Sequence, residues 1–185
     1  MIRLYQKINT LTVLKHFFKN PEEKFYLREL GRLLDISPMT VKRALELLQQ
    51  DDLILKEEQK NQILYHANTE SPVFRYAKIS YNLAALEKYG IKEEILNSIP
   101  GVSSIILYGS FAKGENDKYS DLDILVISTS KKLNIEIPPK KLKVEINILN
   151  FTGEKWARHA RNNRAFYLDV ITEGIVLHGT RPVME

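Results

Sequence analysis

The dipeptide Pro100-Gly101 separates two parts of the chain whose apolar residues follow different periods. Before it, apolar residues recur three or four positions apart, which is typical of amphipathic helices. After it, β-rich apolar runs predict strands over 104–108, 122–127 and 142–149. Because proline and glycine both end helices, the break predicts a helical first part and a second part containing a sheet. We therefore expect an α+β fold.

The first 70 residues predict three short helices followed by a hairpin. The first helix ends at Asn20-Pro21, the second spans Leu27–Leu34, and the third starts with Ser37 as its N-cap and Pro38 in its first turn. The runs 53–56 and 63–66 predict two strands, with a polar turn over 57–61. The third helix has an apolar stripe formed by Val41, Ala44, Leu45 and Leu48.

The remainder of the chain predicts a connector and a second domain. Residues 72–98 are helical in pattern with a break at Gly90. Helices over 154–162 and 165–172 and a last strand over 175–177 accompany the three strands, which together predict a small α/β domain with a mixed sheet. The expected domain limits are 1–70, 71–98 and 99–185. Three aromatic residues are expected in the core: Trp156, Phe166 and Tyr167.

Composition restricts the kinds of site this chain can build. It contains no cysteine and only four scattered histidines, so disulfides and thiolate metal sites are excluded. Any metal is therefore expected to have oxygen ligands, which indicates Mg²⁺ or Mn²⁺. No apolar run approaches the roughly 20 residues of a membrane span, so we expect a cytoplasmic protein without a membrane partner. The net charge of +4 permits contact with nucleic acid but does not require it.

The stretch 107–126 contains the residues with the clearest chemical meaning. Gly109-Ser110, at the end of a predicted strand, would offer phosphate oxygens backbone amides and a hydroxyl at close range. Asp121 and Asp123 lie two apart on the next strand, so their carboxylates project from one face, with Cα atoms about 6 to 7 Å apart. Carboxylates placed so close repel unless a cation joins them. Divalent cations at such a pair can stabilise the attacking and leaving oxygens of phosphoryl transfer.

A third carboxylate from a neighbouring strand would complete this arrangement. Glu145 is the candidate, because it stands alone in an apolar alternation and could also accept the proton of an attacking hydroxyl. Glu136 competes with it, although the following Pro138-Pro139 favours a loop edge there. Three lysines in this region could hold phosphates or form a solvated basic turn: Lys140, Lys141 and Lys143.

Taken together, these motifs resemble the signature of the minimal nucleotidyltransferases of the DNA polymerase beta superfamily. The matching segments are Gly109-Ser110, Asp121-Leu122-Asp123 and Val144-Glu145-Ile146, and the resemblance extends over about residues 99 to 180. Gly-Ser pairs and Asp-x-Asp triplets are each common by chance, so the combination carries the resemblance.

The resemblance implies transfer of a nucleoside monophosphate, AMP by expectation, from ATP or another triphosphate to an acceptor hydroxyl or phosphate. Mg²⁺ or Mn²⁺ would be the cofactor and pyrophosphate the leaving group. It implies catalytic and metal-binding roles for Asp121, Asp123 and Glu145, and nucleotide contacts for Gly109, Ser110 and Lys113. Lys113 stands where many members have arginine, which keeps the charge but loses the bidentate geometry.

The N-terminal helices and hairpin resemble a winged helix-turn-helix, which implies binding to double-stranded DNA. The third helix would present Thr40, Lys42 and Arg43 to the major groove, while Lys56 and Lys60 of the hairpin would meet phosphates. The alternative is a protein-interaction or dimer module, since acidic residues nearby weaken the positive field.

The sequence thus predicts an N-terminal winged helix-turn-helix, a helical connector and a C-terminal nucleotidyltransferase domain. The leading expectation is an enzyme, an adenylyltransferase whose acceptor is a hydroxyl on a partner protein and whose DNA-binding module regulates or places it. The alternative is a DNA-binding transcription regulator or antitoxin that senses nucleotide, or binds a partner, without turnover. The expected partners are double-stranded DNA and a small helical toxin-like protein, and a homodimer is one assembly the chain could form.

Overall fold

The computed structural model describes residues 7–130 and 144–184. The chain consists of two compact units, Met1–Ala84 and Ala85–Glu185. The division falls inside a long helix, Pro72–Tyr89. The domain limits expected near residues 70 and 98 stay predictions.

The described residues of the N-terminal unit include α1 (Asn9–Lys19), α2 (Leu27–Leu34) and α3 (Pro38–Gln50). The Ser37 hydroxyl accepts a hydrogen bond from the Thr40 backbone amide at 3.2 Å, and Pro38 occupies the first turn of α3, where its missing N–H is no loss. The predicted cap of α3 is therefore confirmed. All four residues of its predicted apolar stripe are buried: Val41, Ala44, Leu45 and Leu48.

The same unit contains an antiparallel sheet of β1 (Phe25–Tyr26), β2 (Ile54–Gln59) and β3 (Gln62–Ala67), in the order β1-β3-β2. The hairpin differs from its prediction, because residues 57–59 lie in β2 and not in the turn. Lys60 and Asn61 have φ angles of 47° and 61° and form a two-residue turn, as paired positive φ angles allow. Most side chains in the outer half of β2 are exposed, so hydropathy does not mark where the strand ends.

Apolar residues from α1, α3 and the sheet form the core of this unit. Phe17, Phe18 and Val41 have at most 1% of their surface exposed. Phe18 also meets Phe74 edge to face, with ring centroids 5.2 Å apart. The apolar stripe of α3 and the apolar side of the β2–β3 hairpin thus contribute to one continuous buried cluster, as the sequence pattern predicts.

Two helices follow, α4 (Pro72–Tyr89) and α5 (Ile91–Ser98). Gly90 separates them with a φ of 65°, and its amide donates to the Glu87 carbonyl. The left-handed region is open to glycine at little cost, so the break predicted at Gly90 is confirmed.

The C-terminal unit contains a four-stranded sheet of β4 (Val102–Tyr108), β5 (Leu122–Ser128), β6 (Ile146–Phe151) and β7 (Ile175–Gly179). The strand order is β6-β5-β4-β7. β5 and β6 are parallel, whereas the β4–β5 and β4–β7 pairs are antiparallel. The sheet is therefore mixed, and the expected α+β class is confirmed.

Besides α5, the described part of this unit contains α6 (Gly109–Lys113), α7 (Gly153–Asn162) and α8 (Arg164–Glu173). Trp156 of α7 and Tyr167 of α8 are buried against Ile106 and Leu125 of the sheet. The Trp156 indole N–H donates to the Pro182 carbonyl at 2.8 Å, which satisfies its polar atom. The expectation that Trp156 and Tyr167 are core residues is confirmed, and Phe166 packs against the same cluster while half-buried.

Two features of this unit differ from the sequence prediction. β6 begins at Ile146, so Val144 and Glu145 precede the strand that was expected to contain them. The five-residue helix α6 was not predicted, because so short a segment shows no periodicity. Within the described ranges, no helix combines the length and the apolar character that a bilayer crossing demands.

Candidate functional site

The Gly109-Ser110 pair lies where β4 ends and α6 begins. Gly109 has a φ of 69°, and a Cβ placed on it would come 2.6 Å from Asp123 Oδ2. Both the backbone conformation and the lack of space require glycine here. The Gly109 backbone is thus in direct contact with the carboxylate of Asp123, although 13 residues separate them in sequence.

The two aspartates lie at the start of β5. Asp121 is exposed and directly precedes the strand, while Asp123 is its second residue and is half-buried between the buried Leu122 and Ile124. Burial raises the pKa of Asp123, the nearby Asp121 carboxylate raises it further, and a hydrogen bond from Asn147 partly opposes the rise. The pair thus consists of one solvated carboxylate and one that is costly to ionise alone.

Asn147, in β6, joins the two carboxylates and was missed by sequence reasoning. Its side-chain nitrogen lies 3.3 Å from Asp123 Oδ1 and 3.5 Å from Asp121 Oδ2. The parallel register pairs Asp123 with Asn147, so the two residues lie side by side on adjacent strands. Asn147 is a polar residue between the apolar Ile146 and Ile148, and that interruption is the signal that could have identified it.

Glu145, the expected third carboxylate, is exposed and lies just before β6. Its backbone carbonyl accepts a hydrogen bond from the Leu122 amide at 2.8 Å. Across residues 7–130 and 144–184, no group of three or more histidine, aspartate or glutamate side chains is arranged to hold a metal ion. The competing Glu136 and the three lysines, Lys140, Lys141 and Lys143, lie outside the described residues.

Lys113, at the end of α6, forms an ion pair with Asp169 of α8. That hydrogen bond is the main reason why the pKa of Lys113 is raised, so the amine stays protonated. Burial raises the pKa of Tyr108 to about 12, and the charges of Asp123 and Asp169 add to the effect. Asp169, 56 residues from Lys113, has no sequence signal that links it to the site.

A short loop joins α6 to Asp121, and Asp117 holds it in place. The Asp117 carboxylate accepts from the Tyr119 amide at 2.9 Å and from the Ser120 hydroxyl at 2.8 Å, while the Asp117 amide donates to that hydroxyl at 2.9 Å. Burial alone would raise the pKa of Asp117, but hydrogen bonds from Ser120 and from backbone amides outweigh it and lower the pKa. The loop is a closed Asx-type turn that fixes the approach to Asp121.

The donor set fits a divalent cation. Two carboxylates converge on one amide nitrogen, and the repulsion between them is the kind that a cation relieves. Oxygen donors of this type suit Mg²⁺ and Mn²⁺, which keep several waters or phosphate oxygens among their ligands. Gly109 lets the backbone lie against the Asp123 carboxylate, so phosphate oxygens bound at this turn would be close to a cation held there.

In the N-terminal unit, four of the five expected DNA-binding residues are exposed: Lys42, Arg43, Lys56 and Lys60. Thr40 is half-buried, and its hydroxyl lies 2.9 Å from that of Ser37. Lys42 also lies 3.8 Å from Glu46, one turn further along α3. Exposed ion pairs of this kind contribute little, so the lysine can exchange its partner for a phosphate.

Two arginines that sequence reasoning did not single out lie beside the start of α3. Arg28 and Arg32, both exposed on α2, line a shallow cavity of about 390 Å³ together with Ser37 and Pro38. They repeat at four-residue spacing, so they share one face of α2. Positive charge in this unit is therefore not confined to α3 and the hairpin.

Comparison with solved structures found eight similar chains, of which three are described here. A toxin–antitoxin crystal structure with AMP-PNP is 22% identical, covers 49% of this chain and 72% of that chain, and has a TM-score of 0.37. A cysteine-to-serine mutant of Lactococcus lactis ZitR is 20% identical, with 44% and 60% covered and a TM-score of 0.33. A putative nucleotidyltransferase from Sulfolobus solfataricus is 14% identical, with 57% and 86% covered and a TM-score of 0.37. Such low TM-scores establish no shared fold.

No curated protein matches this sequence. The mixed sheet of the C-terminal unit is compatible with a nucleotidyltransferase fold. A family model does match, and it supports a transferase at the general level. It covers residues 90–168, a range that contains Gly109, Ser110, Asp121, Asp123 and Asn147, and it is the model of the nucleotidyltransferase domain.

Proposed function

We propose that the C-terminal unit transfers an adenylyl group from ATP to an acceptor hydroxyl, with pyrophosphate leaving. The observation that carries this proposal is the contact between the Gly109 turn and the Asp123 carboxylate, 2.6 Å from the position of a Cβ on Gly109. A backbone that can approach phosphates and a carboxylate pair that can hold a cation are thereby adjacent. Nucleotidyl transfer needs that juxtaposition, because its barrier is lowered chiefly by positioning and by charge stabilisation.

Each residue of the site has a role in this proposal. The Gly109 backbone and the Ser110 hydroxyl bind phosphate oxygens, and Asp121 and Asp123 hold Mg²⁺ or Mn²⁺ together with the triphosphate. When bound, the cation supplies Lewis-acid stabilisation of the charge on the phosphate oxygens. Lys113, kept protonated by Asp169, adds a positive charge at the far end of α6. Glu145 accepts the proton of the attacking hydroxyl. Its side chain is exposed, so an acceptor hydroxyl can reach it.

The acceptor in this proposal is a hydroxyl on a partner protein, and a tyrosine of a small helical, toxin-like protein is the form we expect. The test incubates the purified chain with labelled ATP, Mg²⁺ and the product of the neighbouring gene, and then weighs that product by mass spectrometry. The control is the double variant Asp121→Asn/Asp123→Asn, which removes two charges at almost constant volume. Transfer of an adenylyl group by the parent and not by the double variant is expected. No transfer from any of the four ribonucleoside triphosphates would contradict the proposal.

We propose that the N-terminal unit is a winged helix-turn-helix that binds double-stranded DNA. Support comes from α3, which buries one stripe and exposes Lys42 and Arg43 on its other side, and from Lys60 at the hairpin tip. A capped helix with outward cations can enter a major groove while the hairpin meets the phosphate backbone. The test is fluorescence anisotropy with DNA from upstream of the gene over a range of salt concentrations. Absence of binding at low salt would instead favour a protein-interaction module.

A second candidate is a regulator or antitoxin that binds nucleotide without turnover. The observation that favours it is that, among residues 7–130 and 144–184, no third carboxylate joins Asp121 and Asp123 in a metal-binding group, and the side chain beside Asp123 is the neutral amide of Asn147. Calorimetry with Mg²⁺ and ATP distinguishes the two candidates when it is paired with the mass measurement. Tight binding without adenylyl transfer would favour the regulator. The cytoplasmic location and the homodimer stay predictions.

A further inference from the structure

Lys113 lies on the same side of α6 as Ser110. The two residues are three apart, and residues at that spacing are neighbours on a helix surface. Helical side chains lean toward the N-terminus of their helix, so the Lys113 stem leans back toward Ser110. The two positions differ by about 4.5 Å along the axis, a distance that a flexible four-carbon stem can span. The Lys113 ammonium group can therefore reach the part of the site where the proposed function places phosphate oxygens.

A carboxylate of α8 holds that ammonium group in place. Lys113 Nζ forms an ion pair with Asp169 Oδ1, and this hydrogen bond is the main reason why the pKa of Lys113 is raised. Glu115 and Glu173 raise the pKa further through their charges, while partial burial opposes the rise. The amine is therefore protonated and tied to one carboxylate.

The face of α8 that contains Asp169 lies beside the site. Phe166, Asp169 and Glu173 are three and four apart, so they share one face of the helix. Phe166 meets Tyr108 edge to face, with ring centroids 5.4 Å apart and an interplanar angle of 86°. Tyr108 in turn is paired with Asp123 across the antiparallel β4–β5 ladder. The packing of Phe166 thus fixes this face of α8, and Asp169 with it, next to the strand that carries Asp123.

The contribution of the ion pair to stability does not explain why a carboxylate is placed here. The Lys113 and Asp169 side chains are 30% and 33% exposed, and ion pairs with that much access to water contribute little to folding. A carboxylate near a triphosphate also repels it, so Asp169 would weaken nucleotide binding unless it acts through the lysine. Lysine has three N–H donors, so the paired ammonium group keeps two for a ligand. The pair can therefore hold the amine and still leave it able to bind phosphate.

We propose that Asp169 is a positioning residue, which holds the Lys113 ammonium group where its remaining N–H groups donate to phosphate oxygens of the bound triphosphate. The inference rests on the proposed function, because it requires that the turn at Gly109 and Ser110 binds a triphosphate. An unpaired lysine side chain has many conformations, and binding must restrict them. Asp169 restricts them before the nucleotide arrives, which lowers the entropic cost of the phosphate contact.

The test measures binding of a non-hydrolysable ATP analogue with Mg²⁺ to the full chain by titration calorimetry. Asp169→Ala releases the ammonium group and should weaken binding by about tenfold, the lower end of the loss found when a group that orients a ligand is removed. Asp169→Asn keeps an oxygen that accepts from Lys113, so it should weaken binding by less than about threefold. The matched control is Glu173→Ala, which removes a charge from the same face of α8 but leaves the hydrogen bond to Lys113. This control should bind the analogue as tightly as the parent or slightly more tightly.

A double-mutant cycle with Lys113→Met shows whether Asp169 acts through the lysine. Lys113→Met alone should weaken binding at least as much as Asp169→Ala does. In the Lys113→Met background, Asp169→Ala should cause no further loss, because residues that act as one unit are not additive. A merely structural role would weaken binding equally in both backgrounds. Thermal unfolding should give Asp169→Ala a Tm close to that of the parent, as expected for a partly exposed ion pair.

Three results would overturn the proposal. Tighter binding in Asp169→Ala would show that the carboxylate competes with the phosphates for the ammonium group. Unchanged binding in Asp169→Ala, or a loss that persists in the Lys113→Met background, would show that Asp169 does not act by holding the lysine. If Asp169→Ala does not fold, Asp169→Glu decides, because it keeps the charge but moves the carboxylate by one methylene. It should weaken binding in the parent and not in Lys113→Met, and unchanged binding in the parent would contradict the proposal.

The same measurements separate this inference from the proposed function. If the parent binds the analogue with Mg²⁺ and Lys113→Met weakens that binding while Asp169→Ala does not, the proposed site stands and only the role of Asp169 is wrong. If the parent does not bind the analogue, the proposed function fails and the inference fails with it.

Discussion

Replacing Gly109 by alanine is the sharpest test of how the backbone and the carboxylates cooperate. The added Cβ would lie 2.6 Å from Asp123 Oδ2, and ordinary contact begins at 3.4 Å, so the oxygen must move by about 0.8 Å. A carboxylate oxygen at the end of a side chain can move at small energetic cost. The displacement nevertheless removes that oxygen from the position where a cation would be held, and errors of about 1 Å can cost about 100-fold in rate.

The same substitution also strains the backbone, because Gly109 has a φ of 69°. An L residue in the left-handed region costs about 1 to 2 kcal/mol. We therefore expect Gly109→Ala to lower the free energy of unfolding in urea by about that amount. Calorimetry should show Mg²⁺-dependent ATP binding weakened by about 10-fold or more, in line with the displaced ligand.

Alanine substitutions at two other glycines distinguish the effect of backbone strain from that of a steric clash. Gly90 has a φ of 65°, and its nearest atom would lie 3.8 Å from an added Cβ, so Gly90→Ala introduces strain without a clash. Gly153 is not in the left-handed region, and no neighbouring atom lies within 4 Å of its added Cβ, so Gly153→Ala introduces neither strain nor a clash. We expect Gly90→Ala to lose stability but retain ATP binding, and Gly153→Ala to keep both. If Gly109→Ala binds Mg²⁺ and ATP as the parent does, or Gly90→Ala loses binding equally, the reasoning is refuted.

Three further predictions concern charge. Asp121→Asn/Asp123→Asn should abolish Mg²⁺-dependent ATP binding in calorimetry while circular dichroism stays unchanged, and a double variant that still binds would remove both residues from the site. Lys42→Ala/Arg43→Ala should reduce the salt slope of DNA binding by about one unit for each lost phosphate contact, and an unchanged slope would place the interface elsewhere. Asp117→Ala should lower the free energy of unfolding by about 1 kcal/mol at neutral pH. Because the pKa of Asp117 is depressed in the fold, its contribution exists above the unfolded pKa and disappears as pH falls through the folded pKa. Urea titrations of parent and variant should therefore converge in acid, and a gap that persists there would contradict the role of the carboxylate.

Helices were the part of the fold that the sequence predicted best, because their limits depend on neighbouring residues. Ser37 and Pro38 start α3, and Gly90 ends α4, each through a backbone requirement that one residue type satisfies. Elements too short for a period escaped prediction, namely β1 (Phe25–Tyr26) and α6 (Gly109–Lys113). Their conformations depend on the strands that they meet, which local sequence does not describe.

The candidate site shows the same division between local and long-range information. Gly109, Asp121 and Asp123 were found because one segment of 15 residues contains all three. The Lys113–Asp169 ion pair joins residues 56 apart, and no local pattern connects them. Long-range pairs of this kind are determined by how α8 packs on the sheet, so only the folded arrangement identifies them.

The neighbours of the two aspartates depend on strand register, and hydrophobic alternation cannot provide it. Glu145 and Asn147 have the same parity, so any argument from period two assigns both to the face that carries Asp123. The β5–β6 pairing sets Asn147 beside Asp123, and one step earlier the Leu122 amide donates to the Glu145 carbonyl, next to Asp121. The sequence alternation therefore selects a face, and the strand register decides which residue of that face lies beside each carboxylate.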